Sequence, residues 1–206
     1  LRKYPDPLGR QFRETAARIF GLPPEAILIA NGSDDALTIL TRTLVPENGR
    51  VLFPSPSYLL YETLAAIQGA TAATIPFSPQ GDLDPSRIPT GIHLTYLPNP
   101  NSPTGTVVPQ ARLERWPTPL VIDEAYADFA EANYLHLPLK NERVIVTRSL
   151  SKSYSLAGIR FGFAVARPEL TQRLYKVKDS YNCDALSLIA ATAALEDQDY
   201  IRQNVA

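Results

Sequence analysis

The chain has 206 residues, 45% of them hydrophobic and 20% charged, enough apolar side chain to bury one sizeable core, which excludes a disordered chain. Its 20 Lys and Arg against 21 Asp and Glu leave a net charge of -1, without the basic field of a nucleic-acid binder, so no nucleic-acid partner is expected. A single cysteine, Cys183, cannot close an internal disulfide, the two histidines, His93 and His136, offer no metal-ligand spacing, and no apolar run approaches the roughly 20 residues of a membrane span.

The chain therefore reads as cytosolic, metal-free and without a membrane partner. Its start, Leu1-Arg2-Lys3-Tyr4-Pro5, is neither a signal peptide nor an initiator sequence, and its end, Asn204-Val205-Ala206, falls in a helix-like stretch. Residues 1–206 are thus expected to form one domain of a longer protein, truncated at both ends. The 19 prolines are scattered as punctuation, with no linker and no repeat.

In chain order, Gly9 to Gly21 carries Phe12, Ala16, Ile19 and Phe20 on one helical face, and Ala26 to Ala30 is a short apolar strand. A helix over about Ser33 to Leu44, a strand over Arg50 to Phe53, a helix over Tyr58 to Gln68 and strands over Thr71 to Ile75 and Ile92 to Leu97 follow. A short helix near Gln110 to Trp116 precedes strands at Leu120 to Ile122, Arg143 to Thr147 and Ile159 to Ala166. Apolar strands separated by amphipathic helices predict an α/β fold with a mostly parallel sheet covered on both faces.

In such sheets ligands sit beyond the carboxyl ends of the strands, so the polar residues after each apolar run should converge. Asn31-Gly32-Ser33-Asp34 opens a helix and reads either as an anion cradle or as an ordinary N-cap. Asp123, at the end of a buried strand, needs a partner: Arg148, Arg160 or a cationic ring. Lys152 in Arg148-Ser149-Leu150-Ser151-Lys152 has no acidic neighbour as far as Gly162, so desolvation and nearby positive charge should favour the neutral amine a Schiff-base lysine requires. Lys3, Lys140, Lys176 and Lys178 read as ordinary solvated lysines, His93 and His136 as structural, and Tyr58, after a Pro-rich turn, as a stacking wall or a plain core or surface tyrosine. Neither a Walker loop nor Gly-x-Ser-x-Gly is present.

Taken in order, these segments resemble the fold-type I pyridoxal-phosphate aminotransferases, and most closely their histidinol-phosphate branch. The matching stretches are Tyr4-Pro5-Asp6-Pro7, Asn31-Gly32-Ser33-Asp34-Asp35-Ala36, Pro56-Ser57-Tyr58 with Tyr61, and Pro98-Asn99-Pro100-Asn101-Ser102-Pro103-Thr104-Gly105. They continue with Asp123-Glu124-Ala125-Tyr126 and Phe129, Ser149-Leu150-Ser151-Lys152, and Leu156-Ala157-Gly158-Ile159-Arg160-Phe161-Gly162.

The resemblance implies a three-layer α/β/α large domain, with the small domain largely absent from this chain. It implies pyridoxal 5'-phosphate as cofactor, joined through its aldehyde to Lys152, with Asp123 on the ring nitrogen, Tyr126 on the phenolic oxygen and Tyr58 stacked on the ring. Ser33, Asp34, Ser149, Ser151 and Arg160 would hold the phosphate, and Tyr4 would reach the phosphate of the partner subunit of a homodimer. Many relatives have Asn where this chain has Ser102, so either Ser102 or Asn101 would meet the phenolic oxygen. The implied reaction moves an amino group from a small-molecule donor, L-histidinol phosphate, to 2-oxoglutarate. An aromatic aminotransferase, a threonine-phosphate decarboxylase and a cofactor-binding module without turnover share these motifs.

Overall fold

The computed structural model describes residues 2–206. Helix α1 (Arg10–Phe20) lies between two glycines in the left-handed region, Gly9 at φ 53° and Gly21 at φ 65°, and buries Phe12 and Ala16. Strand β1 (Ile27–Ala30) leads through Gly32 into α2 (Ser33–Leu44), followed by β2 (Arg50–Ser55), α3 (Leu60–Ile67), β3 (Thr71–Pro76) and β4 (Leu94–Pro98). Then come α4 (Gln110–Glu114), β5 (Leu120–Asp123), α5 (Leu137–Lys140), β6 (Val144–Ser149) and β7 (Gly162–Val165). Three helices close the chain: α6 (Pro168–Val177), α7 (Ala185–Glu196) and α8 (Gln198–Val205).

The seven strands form one sheet in the order β1-β7-β6-β5-β4-β2-β3. Pairing is parallel from β3 through to β6, while β7 runs antiparallel to both its neighbours. Alternate strand residues feed two apolar layers, as the two-residue period of a strand requires. Ile27, Ile29, Ile122 and Val146 pack with α1, α4, α5, α7 and α8 on one face. Leu28, Ala30, Val121 and Ile145 pack with α2, α3 and α6 on the other. This is a mostly parallel mixed sheet between two helical layers.

Several expectations are corrected in detail. Tyr58 lies in the turn before α3, which begins at Leu60. The strand placed at Ile159 to Ala166 starts only at Gly162, because Ala157–Ile159 is a 3-10 turn and Arg160 takes a left-handed φ of 50°. Ile92 and His93 precede β4; His93 is exposed and its Nδ1 accepts the Arg50 N–H. Helices α6 and α7 lie beyond the expected elements, and Ala185-Leu186-Ser187-Leu188-Ile189 in α7 is apolar on every face and so lacks the 3.6-residue signal. Among the described residues, no helix is long and apolar enough to cross a membrane.

Candidate active site

The parallel strands deliver their carboxyl ends to one edge of the sheet, and because β7 is antiparallel its first residue arrives at that edge too. A cavity of about 250 Å³ opens there. Ser33, Asp34, Tyr58, Ser102, Asp123, Tyr126, Ser149, Ser151, Lys152 and Arg160 all line it, brought together from segments spread along the chain.

The anion end of the cavity is built by close backbone packing. Gly32, at φ 82°, turns the chain from β1 into α2, so that the first N–H groups of α2, which have no partner within the helix, face the cavity at the positive helix end. A Cβ on Gly162 would lie 2.6 Å from Arg148 O and 2.7 Å from Ser33 N, so only glycine lets β7 run this close beneath the helix start. A Cβ on Gly32 would lie 2.8 Å from Arg160 Nη2, which marks how closely that guanidinium covers the turn. Arg160 holds a backbone conformation uncommon for a residue with a side chain, and its Nη2 donates to Asp34 Oδ2 at 3.4 Å. Ser149 Oγ accepts the Ser151 N–H at 3.1 Å.

The cavity wall also carries Asp123, 4% exposed. Tyr61 donates to its Oδ2 at 2.8 Å, while Thr147 Oγ1 and the Ala125 N–H donate to Oδ1 at 3.2 and 3.3 Å. Neither arginine offered as its partner takes that part. Arg148 is paired with Glu124 at 2.8 Å and with Asp128 at 2.5 Å, and Arg160 leans on Asp34. Burial pushes the Asp123 carboxyl above its ordinary range against the pull of its three donors. Burial, and then the Asp123 charge, push the Tyr61 phenol up, so it remains a protonated donor. A buried carboxylate with no cation among the described residues, facing a cavity, suits a ligand that brings its own positive charge.

Lys152 lines the same cavity, with Nζ 5.2 Å from the centre of the Tyr126 ring. The burial expected of Lys152 is corrected. Lys152 is exposed, because the cavity it lines is open to solvent, and of the two arginines flanking it in sequence Arg148 is paired with Glu124 and Asp128, while Arg160 lines the same cavity. Lys178 departs from expectation in the other direction: it is 8% exposed, donating to Asp179 O and Asn182 Oδ1. Asn182 in turn donates to Asp35, and Asp35 accepts the Asn31 N–H, so this lysine braces the turn into α2 from behind.

Asn101 and Tyr4 lie outside the cavity lining. Asn101 is buried, donating from Nδ2 to Pro56 O and Thr104 Oγ1, while Pro100 and Ser102 of the same loop line the cavity wall. Tyr4 is 79% exposed and stacks on Tyr181 with ring centres 4.4 Å apart. Sequence reasoning gave no role to Tyr61, Thr147 or the Glu124–Arg148–Asp128 cluster. Thr147 was within reach, since it is the register partner of Asp123 in the parallel β5–β6 pair.

Pyridoxal phosphate presents an anionic phosphate, a ring nitrogen able to carry a proton, and an aldehyde. The cavity answers them with a helix start beside Arg160, an unpaired buried carboxylate and an amine, so the residues fit the group. The family model for "Aminotransferase class I and II" matches residues 1–206. The chain belongs to that family. Among curated aminotransferases, the histidinol-phosphate aminotransferase of Rhodopirellula baltica is 50% identical over 218 residues, covering 100% of this chain and 59% of that protein. That of Geotalea daltonii is 47% identical over 210 residues, covering 100% of this chain and 60% of that protein. The chain therefore spans about three fifths of the length of these relatives. The crystal structure of histidinol-phosphate aminotransferase from Sinorhizobium meliloti in complex with pyridoxal-5'-phosphate superposes with a TM-score of 0.90 at 28% identity, over 98% of this chain and 59% of that one. L-threonine-O-3-phosphate decarboxylase from Porphyromonas gingivalis, at 22% identity and a TM-score of 0.86 over 98% of this chain and 67% of that one, shares the fold.

Proposed function

We propose that the protein is a pyridoxal-phosphate-dependent aminotransferase that moves the amino group of L-histidinol phosphate to 2-oxoglutarate. The observation that carries the cofactor half is the buried, cation-free Asp123 carboxylate sharing one cavity with the Lys152 amine and the Arg160-capped start of α2. The substrate half is supported by the names of the relatives, at 50% and 47% identity.

In this reading Ser33 and Asp34 N–H groups, the Ser149 and Ser151 hydroxyls and Arg160 hold the phosphate by charge-assisted hydrogen bonds. Asp123 holds a proton on the ring nitrogen, Tyr126 donates to the phenolic oxygen, Tyr58 covers one face, and Ser102 closes the wall where its loop meets the cavity. When bound, pyridoxal phosphate supplies an aldehyde that accepts the amino group and a ring that draws electrons from the substrate α-carbon. Lys152 is the base that takes the proton from that α-carbon, and the neighbouring Tyr126 ring orients its amine. Tyr4, exposed and outside the lining of its own cavity, reaches the phosphate site of a second subunit in a homodimer.

Borohydride reduction of the whole protein after addition of pyridoxal phosphate is expected to leave a pyridoxyl group on Lys152, read by peptide mass, and Lys152→Ala to carry none. A label on another lysine would remove Lys152 from the site. L-histidinol phosphate, tyrosine and phosphothreonine, offered in turn to the whole protein, test the donor; fastest turnover with either of the last two would overturn the substrate assignment.

A further inference from the structure

One of the three donors that grip Asp123 comes from a different layer. Thr147 and Ala125 reach Oδ1 from the sheet edge itself, whereas Tyr61 reaches Oδ2 from α3, and its bond at 2.8 Å is the shortest of the three. The Tyr61 ring is fully buried and lies flat on Tyr96, with centres 5.0 Å apart and planes 5° from parallel. Tyr96 is itself held by a 2.5 Å hydroxyl contact with Thr41, whose own proton goes to Leu37 O. The Tyr58 ring meets Tyr61 edge-on, centres 5.7 Å apart at 90°. Phenylalanine would fill this space equally well. What tyrosine adds is a fixed O–H aimed at a buried carboxylate.

We propose that Tyr61 is a positioning residue, whose hydroxyl locks the Asp123 carboxylate in the orientation that meets a proton-bearing ring nitrogen and so sets the preference of the site for a pyridinium over an uncharged ring. The inference rests on the role given to Asp123 above. With Oδ2 tied to Tyr61 and Oδ1 to Thr147, the carboxylate cannot turn about its Cβ–Cγ bond, and each bond is strengthened by the low dielectric around it. Removing the hydroxyl frees one oxygen and leaves a buried acceptor short of a partner.

The test compares two ligands that cannot bond covalently to Lys152: pyridoxamine 5'-phosphate, and its analogue with C–H in place of the ring nitrogen. Their affinities are measured by calorimetry on the whole protein, unsubstituted and as Tyr61→Phe. The unsubstituted protein is expected to bind the nitrogen ring at least about tenfold more tightly. Tyr61→Phe should shrink that ratio by about tenfold, the scale of one charge-assisted hydrogen bond, with affinity for the carbon ring unchanged, which also shows that the variant folds. A ratio unchanged in Tyr61→Phe, or an equal loss for both ligands, would overturn the proposal while leaving Asp123 in its role. No preference in the unsubstituted protein would overturn both.

Discussion

Cys183 shows how far burial alone sets the chemistry of a side chain. It is 3% exposed, and burial, helped by the Asp35 charge, pushes its thiol up to about 12. A raised thiol is protonated in the fold and ionises more readily once unfolded. Its contribution to stability is therefore complete below the unfolded value of about 9 and is lost as pH rises to about 12. At pH 8 the native thiolate fraction therefore lies far below that of the unfolded chain, so iodoacetamide should label Cys183 more than about tenfold more slowly in native protein than in urea. Equal rates would mean that the thiol is not enclosed. The composition revealed only that Cys183 has no partner for a disulfide. Its inertness comes from packing, as does the burial of Lys178, whose neighbours Asp179 and Asn182 are local in sequence but whose enclosure depends on distant β1 and α2.

Among the elements, the turns between strand and helix determine where the site residues lie. Unlike α6 and α7, the strands and the helices α1 to α4 were legible, because their apolar periods are strong, and the polar tips were legible because a parallel sheet collects its carboxyl ends. The bend at Arg160 was not: Ile159 reads as the start of a strand running to Ala166, whereas Ala157–Ile159 forms a 3-10 turn and Arg160 takes a left-handed φ of 50°. Gly162 completes that arrangement. Gly162→Ala places a methyl group against backbone atoms of Arg148, Ser33 and Gly32 at once, which no side-chain rotation relieves. The expected cost is about 1–3 kcal/mol of stability by urea titration, together with a more than tenfold loss of affinity for pyridoxal phosphate as the α2 N–H groups shift. A variant with unchanged cofactor affinity would show that β7 does not shape the anion end. By contrast, Gly32→Ala meets only the movable end of Arg160, though at a φ that strains alanine.

Across the whole molecule, one buried cluster ties together the segments that carry Asp123 and Lys152. Arg148 on β6 pairs with Glu124 after β5 and with Asp128 beyond it, and Ser153, next to Lys152, donates to Asp128. Glu124 also accepts the Tyr134 N–H at 2.5 Å. Arg148→Met strands two carboxylates beside the site and should cost about 3–5 kcal/mol in urea unfolding, whereas Arg167→Met, which removes an exposed pair with Glu142, should cost under about 1 kcal/mol. Similar costs for the two would show that the cluster is not a clamp. No reading of the sequence separated these pairs, because Arg148 and Arg167 both follow apolar strands and differ only in depth. The reversed direction of β7 also bears on how the protein is made. Ile27 pairs with Val165, so β1 waits for its neighbour until synthesis has passed residue 165. The nascent chain can form the slab from β2 to β6 early. The cavity wall at Arg160 is completed only after Asp123 and Lys152 have been made, so a product stalled before residue 160 would carry the carboxylate and the amine without the guanidinium that lines the cavity beside Ser33 and Asp34.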